Sequence, residues 1–152
     1  MSQKTRYKRA RNGRRDAGAF AAIPHSVLNS PAYIGVSPHA KTLLLDLAVQ
    51  FHGDNNGDLC AAWKFMKPRG WRSEATLHKA KQELLHAGLI VETRKGARPN
   101  KASLYAVTWQ ALNLCGGKLD ISPQSFPRSA YRSSIMPIKN SVLATPAVVA
   151  KA

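Results

Sequence analysis

Arg72, Ser73, Thr76 and Lys79 bring two cations and two hydroxyls into eight consecutive residues. Placed at the start of a helix, such a set suits a base-paired polyanion. A guanidinium can bond the acceptor edge of guanine through two N–H groups, hydroxyls serve bases or phosphates, and an ammonium neutralises phosphate. A second set, Arg94, Lys95, Arg98 and Lys101, also spans eight residues, around Gly96 and Pro99. A charged turn with no apolar tip fits phosphate or minor-groove contact. Lys67 and Arg69 stand just ahead of the first set, where a phosphate would pass, and Lys8, Arg9, Arg11, Arg14 and Arg15 crowd the N-terminal stretch.

Reaction chemistry has less to work with. The eight acidic residues are dispersed, there is no glycine-rich phosphate loop, and no Cys/His or Ser/His spacing fits a nucleophile with its base. No catalytic residue is assigned, and a non-enzymatic protein is expected. Asp54, Asn55, Asn56 and Asp58 hint at a calcium loop, but the required alternation and closing glutamate are missing, so Asp54 and Asp58 read as turn formers. Cys60 and Cys115 match neither a zinc site nor a disulfide framework and read as small core residues. The five histidines form no ligand pair; His78 and His86 lie eight apart. No metal, cofactor or small-molecule ligand is expected.

The whole-chain charge points the same way as the clusters. Among 152 residues, 23 Lys and Arg face 8 Asp and Glu, a formal net charge of +15. Polyanions are bound by neutralising their charge and releasing their counterions, so this excess favours nucleic acid. An anionic membrane surface would need a basic amphipathic helix with exposed apolar bulk, and the longest apolar run, around Leu43-Leu44-Leu45, is broken by Asp46. Nothing resembles a secretory signal, and a cytoplasmic, nucleoid-associated protein is expected. Residues 1–18 hold seven basic residues against Asp16 and lack apolar periodicity, which predicts a disordered basic arm. Residues 19–115 carry the patterned sequence of one domain, and residues 116–152, with Pro123, Pro127, Pro137 and Pro146 among serines, read as a flexible tail.

Within 19–115 the elements follow from caps, periodicity and breakers. Phe20, Ile23, Val27, Leu28 and Tyr33 form an apolar lead-in of short turns. Ser37-Pro38 starts a helix whose inner face is Ala40, Leu43, Leu44, Leu47, Ala48 and Phe51, and Gly53 ends it. Leu59-Cys60 supplies a short strand, and Ala61 to Lys67 a short helix with Ala62, Phe65 and Met66 inward. Ser73 caps the clearest helix, Glu74 to Ala87, with Leu77, Ala80, Leu84 and Leu85 inward and Gly88 closing it. Residues 89–94 and 102–107 read as two strands of a hairpin with its tip at 95–101, and Thr108 as the cap of a short last helix carrying Trp109 and Leu112. Trp71 and Trp109 read as packing residues, while Trp63 stands one turn before Lys67.

Helix, short strand, short helix, turn, long helix, hairpin is the layout of an α+β winged helix-turn-helix, a three-helix core with a β-hairpin wing. In that layout the long helix fills a major groove and its first residues reach base edges. Arg72, Ser73 and Thr76 would read bases, Lys79 would lie in the same groove, and Arg94, Lys95, Arg98 and Lys101 would hold the flanking backbone. The stretches Ile23-Pro24, Ser30-Pro31-Ala32-Tyr33, Asn55-Asn56-Gly57-Asp58-Leu59, Gly70-Trp71-Arg72-Ser73, Gly88-Leu89-Ile90 and Leu104 to Trp109 resemble small winged-helix proteins of bacterial phages, plasmids and integrated elements. The resemblance spans roughly residues 20–112 and implies a role in gene control or replication of a mobile element. Double-stranded DNA is the expected partner and a transcriptional regulator the expected role. A replication initiation or accessory protein, and an RNA-binding or protein-docking module, are the alternatives. A homodimer would have to form through residues 20–35 or 109–135.

Overall fold

Three serines set the helical skeleton. Each turns its hydroxyl back onto the amide three residues ahead, and so satisfies a donor that the first turn of a helix leaves free. Ser30 accepts from Tyr33 N at 3.2 Å, Ser37 from Ala40 N at 3.3 Å and Ser73 from Thr76 N at 3.3 Å. Pro31 and Pro38 follow the first two, where a missing N–H costs nothing.

The computed structural model describes Asp16 and residues 18–133. Among them the order is α1 (His25–Leu28), α2 (Pro31–Gly35), α3 (Pro38–Ala48), β1 (Leu59–Cys60), α4 (Trp63–Met66) with a 3-10 turn at Lys67–Arg69, α5 (Glu74–His86), β2 (Ile90–Arg94) and β3 (Leu104–Val107). Two further 3-10 turns lie at Cys115–Gly117 and Ala130–Arg132. These five helices and one antiparallel sheet, in the order β1-β3-β2, make a small α+β domain. Leu59 pairs with Tyr105 and Ile90 with Val107, so β3 is the central strand and all of its residues are buried.

The main core lies where α3 crosses α5 above the sheet: Leu43, Leu44 and Leu47 meet Leu77, Ala80 and Leu84, with Met66, Leu89 and Ile90 closing it. Glu83 of α5 joins the same two helices electrostatically. Its carboxylate accepts from Ser37 N at 2.8 Å and from Ser37 Oγ at 3.0 Å, placing negative charge at the positive end of α3. The other face of the sheet is covered as well. Ala106, Leu112 and Phe126 form a second apolar cluster joined by Val91, Leu119 and Ile121.

That second layer corrects the expected tail. Within the segment read as flexible from residue 116 onward, Asp120 N donates to Thr93 O at 2.8 Å along the outer edge of β2, and Phe126 and Tyr131 are buried. Isolated apolar residues between prolines, too sparse to show a period, pack one at a time onto a surface already built. Residues 134–152 lie outside the described residues.

Other expectations shift for local reasons. The helix from Pro38 stops at Ala48 rather than near Gly53, because Gln50 turns to β1: its carboxamide donates to Cys60 O at 2.9 Å and accepts from Cys60 N at 2.9 Å. Phe65 points outward, 56% exposed, since the 3-10 turn after Met66 leaves α4 one turn long with Met66 on its inner side. No helix follows Thr108, for the carbonyls of Gln110 and Ala111, which could begin one, accept from the buried Asn56 side chain at 3.2 and 3.0 Å. Thr108 instead donates its hydroxyl to Gly88 O at 2.7 Å. Cys60 and Cys115 are half-buried rather than core residues.

Gly88 ends α5 in a Schellman arrangement, with Leu89 N donating to Leu84 O and Gly88 N to Leu85 O, both at 3.1 Å. Its φ is +71°, and a Cβ there would stand 2.8 Å from Ala130 O. Gly88→Ala therefore combines left-handed strain with a backbone collision, and should lower stability by about 2 kcal/mol or more. Urea denaturation checks this; an unchanged midpoint would contradict the close approach of residue 130.

Candidate nucleic-acid interface

The turn from Lys67 to Arg72 fixes how α5 meets the solvent, and a buried carboxylate fixes the turn. Asp46, on the inner side of α3 and 6% exposed, accepts from Arg69 Nε at 2.6 Å and from Trp71 Nε1 at 2.8 Å. A carboxylate withdrawn from water must be fully bonded, and both oxygens here are. Trp71 is buried accordingly, and His39 lies against it with ring centroids 6.2 Å apart.

Between α3 and the start of α5 this leaves an open cleft of about 320 Å³. Arg69, Arg72, Ser73 and Thr76, all expected from the sequence, line it together. His39 and Thr42 of α3 line its other wall and were not foreseen. Arg69 is only partly available, because its Nε is taken by Asp46, although 48% of the side chain is exposed. Ser73 spends its hydroxyl on the cap of α5, and Thr76 is half-buried. Arg72 and Lys67 are exposed and make no side-chain hydrogen bond or ion pair among the described residues.

Along α5 the solvent-facing stripe is Ala75, His78, Lys79 and Gln82, positions one helical turn apart. All three polar residues lie, as their spacing predicts, on the face opposite the apolar stripe Leu77, Ala80 and Leu84, but of them only Lys79 is a DNA contact expected from the sequence. Gln is a residue type that can bond adenine through both ends of its amide.

The second expected set sits on the hairpin. Ala97 and Lys101 pair through two backbone bonds of 2.8 Å and enclose Arg98, Pro99 and Asn100 at the tip. Gly96 permits this, as a Cβ there would lie 2.7 Å from Lys101 O. Lys95, Arg98 and Lys101 are exposed, with side chains unpaired among the described residues. Arg94 is different. The strand register shifts between Glu92 and Arg94, and the side chain folds back so that Nη2 donates to Ala102 O at 2.9 Å while Nε is buried without a partner. Such a shift re-aims a side chain. Arg94 thus belongs to the hairpin's frame and not to its free cations.

Lys8, Arg9, Arg11, Arg14 and Arg15 lie outside the described residues. No hydrogen bond or ion pair joins the α5 group to the hairpin group among the described residues.

The acids do little to offset these cations. Asp46 holds Arg69, Asp54 meets His52 at 2.9 Å, Asp58 meets Lys118 at 2.7 Å, Glu83 caps α3, and Asp120 accepts from Lys95 N at 2.9 Å. Burial, followed by the nearby Asp58 charge, pushes the Cys115 thiol up, so it stays protonated at neutral pH. No three His, Cys, Asp or Glu side chains group as a metal site among the described residues, and none of the described helices is long and apolar enough to cross a membrane. No family model, curated protein or solved structure matches the chain.

Proposed function

We propose that the chain folds as a winged helix-turn-helix and is a non-enzymatic, duplex DNA-binding protein. Gene control in a bacterial mobile element is the setting its sequence resemblance implies. In this reading α5 lies in the major groove, with Arg72, Lys79 and Gln82 on base edges and Lys67 and Arg69 on phosphates. The hairpin cations Lys95, Arg98 and Lys101 hold the flanking backbone. The observation that carries the reading is the pair of basic groups, one at the start of the long helix and one on a glycine-shaped hairpin, whose exposed side chains lack partners while most acids are already engaged. Ser73, expected to read bases, spends its hydroxyl on the cap of α5, while Thr76 gives that cap only its backbone N–H and its side chain lines the cleft.

The test is equilibrium binding of the full chain to mixed-sequence duplex DNA, single-stranded DNA and duplex RNA across a range of salt. Duplex DNA should bind tightest, with log K falling linearly in log salt by about 0.9 for each phosphate neutralised. Tighter binding to RNA at equal salt would overturn the reading and favour an RNA-binding module.

A further inference from the structure

Asp46 is the only buried acid among the described residues. It interrupts a stripe of α3 in which Leu43, Leu44 and Leu47 are fully buried. An apolar residue there would extend the core with no desolvation cost, whereas a buried ion pair is seldom a net gain in stability over well-packed apolar groups. The carboxylate contributes instead through what it holds.

It holds two side chains of one turn, Trp71 and Arg69. The Asp46 bond engages Arg69 at Nε, which leaves both Nη groups, whose terminal edge presents two parallel N–H donors, without a partner among the described residues. Arg69 lines the cleft beside His39 and Arg72, and also borders a second depression with Gln50, Cys60, Phe65 and Met66. A guanidinium anchored by Nε has its terminal edge fixed in direction, the arrangement that bonds two phosphate oxygens at once and that a lysine cannot reproduce.

We propose that Asp46 is a positioning residue for DNA binding: it aims the terminal edge of Arg69 into the cleft, where it clamps one phosphodiester of the duplex backbone. The inference rests on the DNA-binding reading above and adds to it a specific phosphate seat, together with an acid that strengthens binding to an anion.

That last consequence separates positioning from bulk electrostatics. Removing a negative charge near a polyanion site should tighten binding if the charge acts only at a distance. If Asp46 acts through Arg69, Asp46→Asn should weaken binding. The measurement is fluorescence anisotropy of a labelled mixed-sequence DNA duplex, titrated with full-length chain over a salt series, for Asp46→Asn, Arg69→Gln, Arg69→Lys and the Asp46→Asn/Arg69→Gln pair. Asp46→Asn and Arg69→Gln should each lose about tenfold in affinity and about one unit of log–log salt slope, whereas Arg69→Lys, which keeps its charge, should lose about tenfold in affinity with little change in slope. The double variant should be no worse than either single.

A thermal melt of every variant controls for folding, and binding is compared below the lowest midpoint, where all the variants are folded. Tighter binding by Asp46→Asn, additive losses in the double variant, or a wild-type affinity in Arg69→Lys overturns the positioning role while leaving the DNA-binding reading intact. A wild-type protein that shows no salt-dependent binding to duplex DNA overturns both.

Discussion

Replacing Lys95, Arg98 and Lys101 together by alanine is expected to weaken binding to every duplex sequence and to flatten the log–log salt dependence by about three units, close to one for each phosphate no longer neutralised. The three side chains are exposed and unpaired among the described residues, so their removal leaves the hairpin's own bonds in place. The loss should therefore appear in binding and not in the thermal midpoint. Arg94→Ala serves as the contrast. Its guanidinium is already committed to Ala102 O, and the slope should stay at the wild-type value. A salt titration of both proteins checks this. An unchanged slope in the triple variant takes the hairpin out of the interface, and a reduced slope in Arg94→Ala means that the arginine swings free of the hairpin.

The largest stability effect should come from Asn56, which carries no charge and is fully buried. Its Nδ2 donates to Val107 O at 3.0 Å and to the carbonyls of Gln110 and Ala111, while its Oδ1 accepts from Val107 N at 2.9 Å. Its backbone exchanges two bonds of 2.9 Å with Asn113. One amide therefore ties the turn before β1 to the end of β3 and to the segment after it. Asn56→Ala strands the buried Val107 N–H and C=O, at about 1–3 kcal/mol for each buried group left unpaired, and removes the part-buried bonds to Gln110 and Ala111 as well, so a total of about 4 kcal/mol is expected. Against a typical domain stability of about 5–15 kcal/mol, that is a large share. Asn56→Asp keeps the shape but turns a donor pair into an acceptor facing carbonyls, and should cost at least as much at neutral pH. Chemical denaturation followed by tryptophan fluorescence measures both. A cost under about 1 kcal/mol for Asn56→Ala would mean that water replaces the amide.

What was legible in the sequence was what local chemistry determines. Ser37 with Pro38, Ser73 with Glu74, and Gly88 announce their helix ends because a cap is a bond to an amide three residues away or a φ that glycine alone adopts cheaply. Leu77, Ala80 and Leu84 announce the inner side of α5 by their spacing, and the two strands flanking Gly96 announce the hairpin. Asn56, by contrast, sits in a run of turn-forming residues and looks like its neighbours; its side-chain partners lie more than fifty residues away. Thr108 looks like a cap and is a tie to Gly88 for the same reason.

The candidate interface divides along the same line. Exposure of Arg72, Lys79, Lys95, Arg98 and Lys101 follows from charge and from helix and hairpin geometry. The capture of Arg69 by Asp46, and of Arg94 by Ala102, depends on tertiary placement and on a register shift that no spacing encodes. Asp46 did leave one trace, as the lone charge breaking an apolar run. A charge on the inner face of a helix needs a partner, and the later sequence offers Lys64, Lys67, Arg69 and Arg72 in a short span, without saying which of them it is.

The central claim is that α5 reads duplex DNA, and the most direct measurement is selection from a random duplex pool followed by sequencing of the retained fraction, run side by side on the wild-type chain and on the Arg72→Ala/Lys79→Ala/Gln82→Ala variant. The account predicts one enriched motif for the wild type and a variant that still binds DNA but retains no motif. Equal enrichment of the same motif by both proteins, or no enrichment by the wild type, would contradict it.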